Sequence, residues 1–312
     1  MSISIHPVDN HRSREKGVLV YPVYSRRSGG LSVGINLYPG KKCCPFDCPY
    51  CEVFPFSANA AFSADQMEKD LCTVVADAQE RNIPVKDICF SGNGEPSLAP
   101  DFPAALQLAN RIRQELVPSA QLVLITNGAG LFDPPLFSLL RDAACDAASP
   151  DLPSALTIWL KLDAGTPAWY DKINRSAIPF AERIEKIKTF AACAPFIIQT
   201  MLCAIDGTAP PPEEAQAWET TVCELAAIAQ NGSAIGNAAI GNAATGSAAI
   251  GSVAIGSATT GIRAVQLYGK ARPAPEDPKA EALPDAYLAE RAASLRRAFT
   301  AQGITTPVEV YL

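Results

Sequence analysis

Along residues 31–37, Leu31, Val33, Ile35 and Leu37 alternate with Ser32, Gly34 and Asn36. A period of two puts the four apolar side chains on one face, which predicts a strand half-buried on a core. A short apolar run at Val18–Tyr21 predicts a strand before it, and Pro39-Gly40 ends the stretch. The period then changes. Ser63-Ala64-Asp65-Gln66 is a capping box, and Met67, Leu71, Val74, Val75 and Ala78 follow at helical spacing. From there strands and helices alternate. Apolar runs at Val85–Phe90, Leu122–Ile125, Leu156–Leu162, Phe196–Ile198 and Ile262–Leu267 predict strands. Helical spacing joins Phe102, Leu106, Ala109, Ile112 and Leu116, then Phe180, Ile184, Ile187 and Ala191, then Ala215, Trp218, Val222, Leu225 and Ala229. Asp133 with Pro134 behind it marks one more helix start, a cap followed by proline in the first turn. Strands separated by helices of this length imply a parallel sheet of crossover units.

One segment breaks the rhythm. From Asn231 to Thr260 the chain repeats a five-residue unit, with glycines at 236, 241, 246, 251, 256 and 261 and no charged residue. Short-period repeats stack into coils where each turn buries a large apolar residue. Here Thr245 and Thr260 stand where isoleucine is needed, so a low-complexity insertion over 231–261 is the expectation. A last helix is expected from Pro284, with Leu288, Ala292, Leu295 and Phe299 on one face and Gly303 as its stop, then a short strand at Val308–Tyr311. The organisation read from this is a lead-in at 1–17, a body at 18–283 carrying the insertion, and a helix with a strand at 284–312.

Composition narrows the classes. The 312 residues carry a net charge of −6 and are 48% hydrophobic, which suits one large α/β domain. The balance gives no global basic footprint of a nucleic-acid binder. No run of about 18 apolar residues is present, so no membrane span is expected, and the polar start lacks the apolar core of a signal peptide. Ten cysteines without a secretion signal suggest a reducing, cytoplasmic setting. Cys72, Cys89, Cys145, Cys193, Cys203 and Cys223 are scattered singly and read as small buried hydrophobes.

The other four cysteines sit together in Cys43-Cys44-Pro45-Phe46-Asp47-Cys48-Pro49-Tyr50-Cys51. Read from Cys44, the spacing is C-x3-C-x2-C. Three thiolates on one short loop can hold three irons of a four-iron cluster and leave the fourth open to a ligand. The alternative is a zinc knuckle with Cys43 as fourth ligand, although zinc sites favour paired C-x2-C or histidine pairs, and His6 and His11 lie far upstream. Each remaining motif also follows a predicted strand: Gly92-Asn93-Gly94-Glu95-Pro96, Thr126-Asn127-Gly128, Asp163-Ala164-Gly165, Gln199-Thr200 and Tyr268–Pro273. The carboxyl ends of parallel strands form one ligand-binding face, so these segments converge on a single mouth.

The loop, with its aromatic Tyr50, resembles the signature of radical S-adenosylmethionine (radical SAM) enzymes. Gly92–Pro96 resembles their G-G-E-P segment, departing from it at Asn93-Gly94. Pro22 to Gly29 with Ser25-Arg26-Arg27, Gly34-Ile35-Asn36, Lys161–Gly165 and Ile173-Asn174-Arg175 resemble a group of iron–sulfur oxidoreductases related to the enzymes that build the wyosine base of tRNA. The resemblance covers roughly residues 20–205. It implies a partial parallel (β/α)6 barrel and a 4Fe–4S cluster on Cys44, Cys48 and Cys51. It further implies S-adenosylmethionine held by Tyr50, Gly92, Asn93, Gly94, Glu95, Asn127, Lys161 and Asp163, and a reductant protein such as flavodoxin or ferredoxin. Wyosine-type tRNA modification and a non-catalytic metal-binding role are the rival functions. Arg26 and Arg27 suit a phosphate or carboxylate of the substrate, since arginine forks match both, and Arg175 is a weaker candidate. Lys161 and Asp163 flank Leu162, so both face the barrel interior if Leu162 faces the helices, and a buried pair of this kind needs each other or a ligand.

Overall fold

The computed structural model describes residues 17–53, 55–145, 156–238, 260–271, 274, 277 and 279–312. Its strands are β1 (Val20–Ser25), β2 (Gly30–Ile35), β3 (Val85–Phe90), β4 (Gln121–Thr126), β5 (Thr157–Lys161), β6 (Pro195–Ile205), β7 (Gly261–Gly269), β8 (Ala280–Ala282) and β9 (Val308–Tyr311). The helices are α1 (Ala64–Glu80), α2 (Phe102–Leu116), α3 (Pro134–Cys145), α4 (Pro167–Ile173), α5 (Phe180–Ala191), α6 (Pro212–Ala238) and α7 (Asp285–Ala301). Strands β2 to β7 pair in chain order, all parallel, and β9 adds in parallel beyond β7. β1 pairs antiparallel with β2 at the opposite edge, and β8 pairs antiparallel with the far end of β6.

The sheet curls into a half-barrel. Seven inter-strand steps of about 4.8 Å would set the edges of a flat sheet about 34 Å apart. Instead the turn after β1 touches the far edge: the Tyr311 hydroxyl lies 3.5 Å from the Arg27 carbonyl, and Arg26 donates to the main-chain oxygen of Leu312. Alternation along the strands then sorts residues into two layers. Leu122 and Leu124 of β4, and Ile158 and Leu160 of β5, join the outer core against the helices. Val123 and Trp159 point the other way and pack with Cys89 inside the barrel. Leu162 joins the outer core, so Lys161 and Asp163 do face inward, as the spacing implies.

Local signals hold at most element ends. Ser63 Oγ accepts from the Gln66 N–H at 3.3 Å ahead of α1, while the Gln66 side chain turns to Asp70, so half of the capping box forms. Asp133 Oδ1 accepts from the Leu136 N–H at 3.1 Å ahead of α3. Three features differ from the expectation. β6 runs for 11 residues instead of three, and both of its faces are buried, which erases the alternation that marks a strand's extent. α4 and β8 carry no periodic pattern of their own. α6 continues to Ala238, so the start of the repeat is helical, and residues 239–259 of the insertion lie outside the described residues. α7 and β9 complete the same sheet-and-helix layers, with Leu288, Ala292, Leu295 and Phe299 in the common core. Among the described residues no helix is long and apolar enough to cross a membrane.

Candidate cluster and cofactor site

The cysteine loop leaves the carboxyl end of β2 and is pinned to the end of β3. The Cys43 N–H donates to the Asn93 carbonyl at 3.0 Å, and the Glu95 N–H donates to the Cys43 carbonyl at 2.9 Å. This one-residue bridge passes over Gly94, where a Cβ would stand 2.0 Å from the Cys43 carbonyl oxygen. Glycine is therefore the residue this approach admits. Further on, the Asp47 N–H donates to the Asn174 carbonyl at 3.1 Å, and the Cys51 N–H to the Cys48 carbonyl at 2.9 Å. The result is a cavity of about 340 Å³ with Cys44, Cys48 and Cys51 in its wall. Cys43 is exposed and is not part of that wall. Among the described residues no three cysteine, histidine or acidic side chains are grouped to hold one metal ion. The three thiols line one shared space.

Each thiol environment is built by residues distant in sequence. Asn127 Nδ2 lies 3.4 Å from Cys44 Sγ, and Asn174 Nδ2 lies 3.6 Å from Cys48 Sγ. Burial pushes the Cys44 thiol up to about 12 and the Cys48 thiol up to about 11. Beneath the loop, Arg183 of α5 is 2% exposed. Its Nε and Nη2 donate to the Asn127 carbonyl at 3.2 and 3.1 Å, Nη2 also donates to the Lys161 carbonyl, and the guanidinium lies 5.5 Å from the Phe46 ring centre. Its Nη1 is buried without a hydrogen-bond partner. Burial pushes the Arg183 guanidinium below its ordinary value, against the pull of Tyr170 and Asp163.

Two carboxylates lash this mouth together. Glu95 is 2% exposed; its Oε1 accepts from Ser97 Oγ and Thr126 Oγ1, both at 2.6 Å, and its Oε2 accepts from the Asn127 N–H at 2.7 Å. It thereby joins the ends of β3 and β4, and burial raises its carboxyl against the pull of those donors. Asp163 holds the other side. Oδ1 meets Lys161 Nζ at 2.9 Å and accepts from the Met201 N–H at 2.8 Å. Oδ2 accepts from the Tyr50 hydroxyl at 2.5 Å and from Asn174 Nδ2 at 3.0 Å. Burial alone would raise this carboxyl, but the Lys161 ammonium, the Tyr50 hydroxyl and the Met201 N–H hold it below the ordinary range. Lys161 lies 5.1 Å from the Tyr50 ring centre and 4.6 Å from that of Tyr268, whose hydroxyl it also meets.

Comparison with known proteins bears on the fold. No protein-family model matches the chain. A UPF0026 protein of Helicobacter pylori strain 26695 is 28% identical over 137 residues, covering 42% of this chain and 41% of the relative, and its counterpart in strain J99 is 29% identical over 127 residues. The chain thus spans about two-fifths of the length of these curated relatives. Streptococcus suis SuiB bound to precursor peptide SuiA superposes with a TM-score of 0.56 at 12% identity, covering 92% of this chain and 51% of SuiB. A radical SAM methyltransferase from Sphaerobacter thermophilus superposes with a TM-score of 0.56 at 14% identity, covering 90% of this chain and 66% of the methyltransferase. The fold is that of the radical SAM enzymes.

Within that radical SAM fold, the cavity wall contains Cys44, Cys48, Tyr50, Cys51, Gly92, Gly94, Glu95, Asn127 and Lys161 from the sequence-derived set. Asn93 and Asp163 stand just behind it, Asn93 bonded to Cys43 and Asp163 to Tyr50 and Lys161. Arg26 and Arg27 also line it. Arg175 is outside the wall: it pairs with Asp277 and approaches Asp47 at 3.8 Å, tying the cysteine loop to the β7–β8 connection. Asn174 and Arg183 were absent from the sequence-derived set. For Arg183 a signal exists, since it adjoins Ile184 on the stripe formed by Phe180, Ile187 and Ala191, and an arginine on an apolar stripe asks for an explanation. The donor set fits a 4Fe–4S cluster: three thiols share one wall, two side-chain amides point at sulfur, and a buried guanidinium lies below.

Proposed function

We propose that the chain is a radical SAM enzyme whose cluster is held by Cys44, Cys48 and Cys51. The observation that carries this reading is that these three thiols, and not Cys43, share the wall of one cavity at the carboxyl ends of the parallel strands. When bound, the cluster supplies the electron that splits S-adenosylmethionine into methionine and a 5'-deoxyadenosyl radical, which then takes a hydrogen atom from the substrate. The chain's residues contribute binding, orientation and exclusion of water. Asn127 and Asn174 aim amide N–H groups at Cys44 and Cys48, which favours the thiolate form in a buried setting. Gly92 and Gly94 let the end of β3 pass close to Asn36 and to the Cys43 carbonyl, which holds the cysteine loop over the cavity. Tyr50, fixed by Asp163, presents its ring to the cavity beside the Lys161 ammonium. A small redox protein of the flavodoxin or ferredoxin class would deliver the electron.

The test is anaerobic reconstitution with iron and sulfide, followed by dithionite and S-adenosylmethionine. The expected product is 5'-deoxyadenosine, measured by mass spectrometry. Full iron and sulfide loading with no 5'-deoxyadenosine would leave a cluster-binding protein and sink the enzyme reading.

A further inference from the structure

The cavity continues inward from the cysteines to the turn between β1 and β2, where Arg27 is half-buried. Its guanidinium carbon lies 4.7 Å from the Tyr268 ring centre and 5.4 Å from that of Trp159. Nη1 donates to Gln199 Oε1 at 2.7 Å. Gln199 is wholly buried, and its orientation is set by a relay. Its Nε2 donates to Gln266 Oε1 at 2.7 Å, and Gln266 Nε2 donates in turn to Glu309 Oε2 at 2.9 Å. A carboxylate only accepts, so each amide upstream must present its oxygen toward Arg27. Strands β5, β6, β7 and β9 thus combine to hold one guanidinium with two rings and a neutral amide.

Three acids on the surrounding strands are committed elsewhere. Asp87 on β3 feels the arginine's charge, but it is 2% exposed and accepts from Ser32 Oγ at 2.5 Å. Glu309 on β9 accepts from Gln266 and from the Tyr311 hydroxyl at 2.7 Å. Asp163 beyond β5 is the partner of Lys161. Among the described residues no carboxylate makes an ion pair with Arg27, and one of its five N–H groups is used. A stacked guanidinium of this kind is already oriented, so little freedom is lost when a ligand engages its remaining fork.

Resting on the radical SAM reading of the cavity, we propose that Arg27 anchors an oxyanion of the substrate, a carboxylate or a phosphate. The planar fork meets two oxygens of either group. The aromatic walls lower the local dielectric and strengthen the pairing. Lys161 is not the seat, because Asp163 already neutralises it.

The test uses the cluster-loaded protein under anaerobic conditions. Thermal unfolding is followed while inorganic phosphate or acetate replaces chloride at constant ionic strength. The expected result is a saturable rise in melting temperature with one of the two anions, which identifies the group, because a ligand bound to the folded state stabilises it. Arg27→Gln should abolish the rise, and Arg27→Lys should weaken the half-saturation point by about tenfold or more, through loss of the second charged hydrogen bond. If Arg27→Gln does not fold, the Arg27→Lys comparison decides. Arg111→Gln, at an exposed arginine of α2 that pairs with Glu68 and takes no part in the cavity wall, should respond as wild type. A wild-type response to both anions no greater than to chloride, or a response that survives Arg27→Gln, overturns the proposal. Affinity for S-adenosylmethionine should stay within about twofold of wild type in Arg27→Gln; a fall of tenfold or more would make the oxyanion that of the cosubstrate and overturn the substrate assignment. Anion binding without 5'-deoxyadenosine formation would reject the enzyme reading and leave the anion site standing, while the converse would reject the anion site alone.

Discussion

Replacing Asp163 by asparagine removes one charge from the most heavily connected carboxylate of the mouth. The side chain is 0% exposed and serves four donors: Lys161, Met201, Tyr50 and Asn174. An asparagine keeps one acceptor, which still serves Met201, and places N–H groups where Oδ2 stood. The Tyr50 hydroxyl can turn to accept. Asn174 can adapt only by turning its own amide, which withdraws its N–H from Cys48. The larger loss is the counter-charge of Lys161, whose side chain is 11% exposed. Breaking a buried ion pair from one side costs about 3–5 kcal/mol, and an orphaned donor about 1–3 kcal/mol. The groups share one network, so these figures do not add, and about 4 kcal/mol is the expected loss. Urea unfolding at pH 7 measures it. The loss has a pH signature, because Asp163 is held below its ordinary value of 3.8 in the folded state. A depressed carboxyl contributes stability in full above the unfolded value and loses it as pH falls through the folded value. The gap between wild type and Asp163→Asn should therefore stay level from pH 7 to about 5 and close only in stronger acid. Adding Lys161→Met to Asp163→Asn removes the stranded charge and should recover about 2 kcal/mol. A loss below about 1 kcal/mol, or no recovery in the double variant, would refute the argument that this pair is held dry.

Two further outcomes test the loop. Cys44→Ala, Cys48→Ala and Cys51→Ala should each abolish a stable four-iron cluster, while Cys43→Ala keeps iron and sulfide content and the electron paramagnetic resonance signal of the reduced cluster; the reverse pattern between Cys43 and Cys44 would overturn the register. Gly94→Ala should part the loop from β3, lowering iron loading and stability by about 2 kcal/mol or more, because its Cβ would stand 2.0 Å from a backbone oxygen. Gly207→Ala is the control: its φ is +72° with open space around it, so it should cost only about 1 kcal/mol and leave iron loading unchanged.

The local chemistry of the chain determined the elements and the cysteine loop. Leu31 to Leu37 and the helical stripe from Met67 to Ala78 announce themselves because burying one face of a strand or helix demands a period within that segment. The spacing Cys44, Cys48, Cys51 is equally local, since one short loop carries all three thiols, and strand order alone brings Gly92–Pro96 and Asn127 to the same mouth. What the sequence left open is what closure of the barrel decides. β6 shows no alternation because its outer face meets helices while its inner face meets Trp169, Tyr170 and the cysteine loop. Asp163 reads as one acid after a strand, yet its meaning lies in Tyr50 and Met201, residues 113 and 38 positions away. Arg183 reads as a misplaced charge on an apolar stripe until Asn127 and Lys161 offer it their carbonyls. Gln199, Gln266 and Glu309 are single polar residues in three separate strands, and they become a relay to Arg27 only when β9 and the β1–β2 turn meet across the curled sheet. Hydrogen bonds and ion pairs carry no sequence period, so their partners are chosen by the tertiary fold.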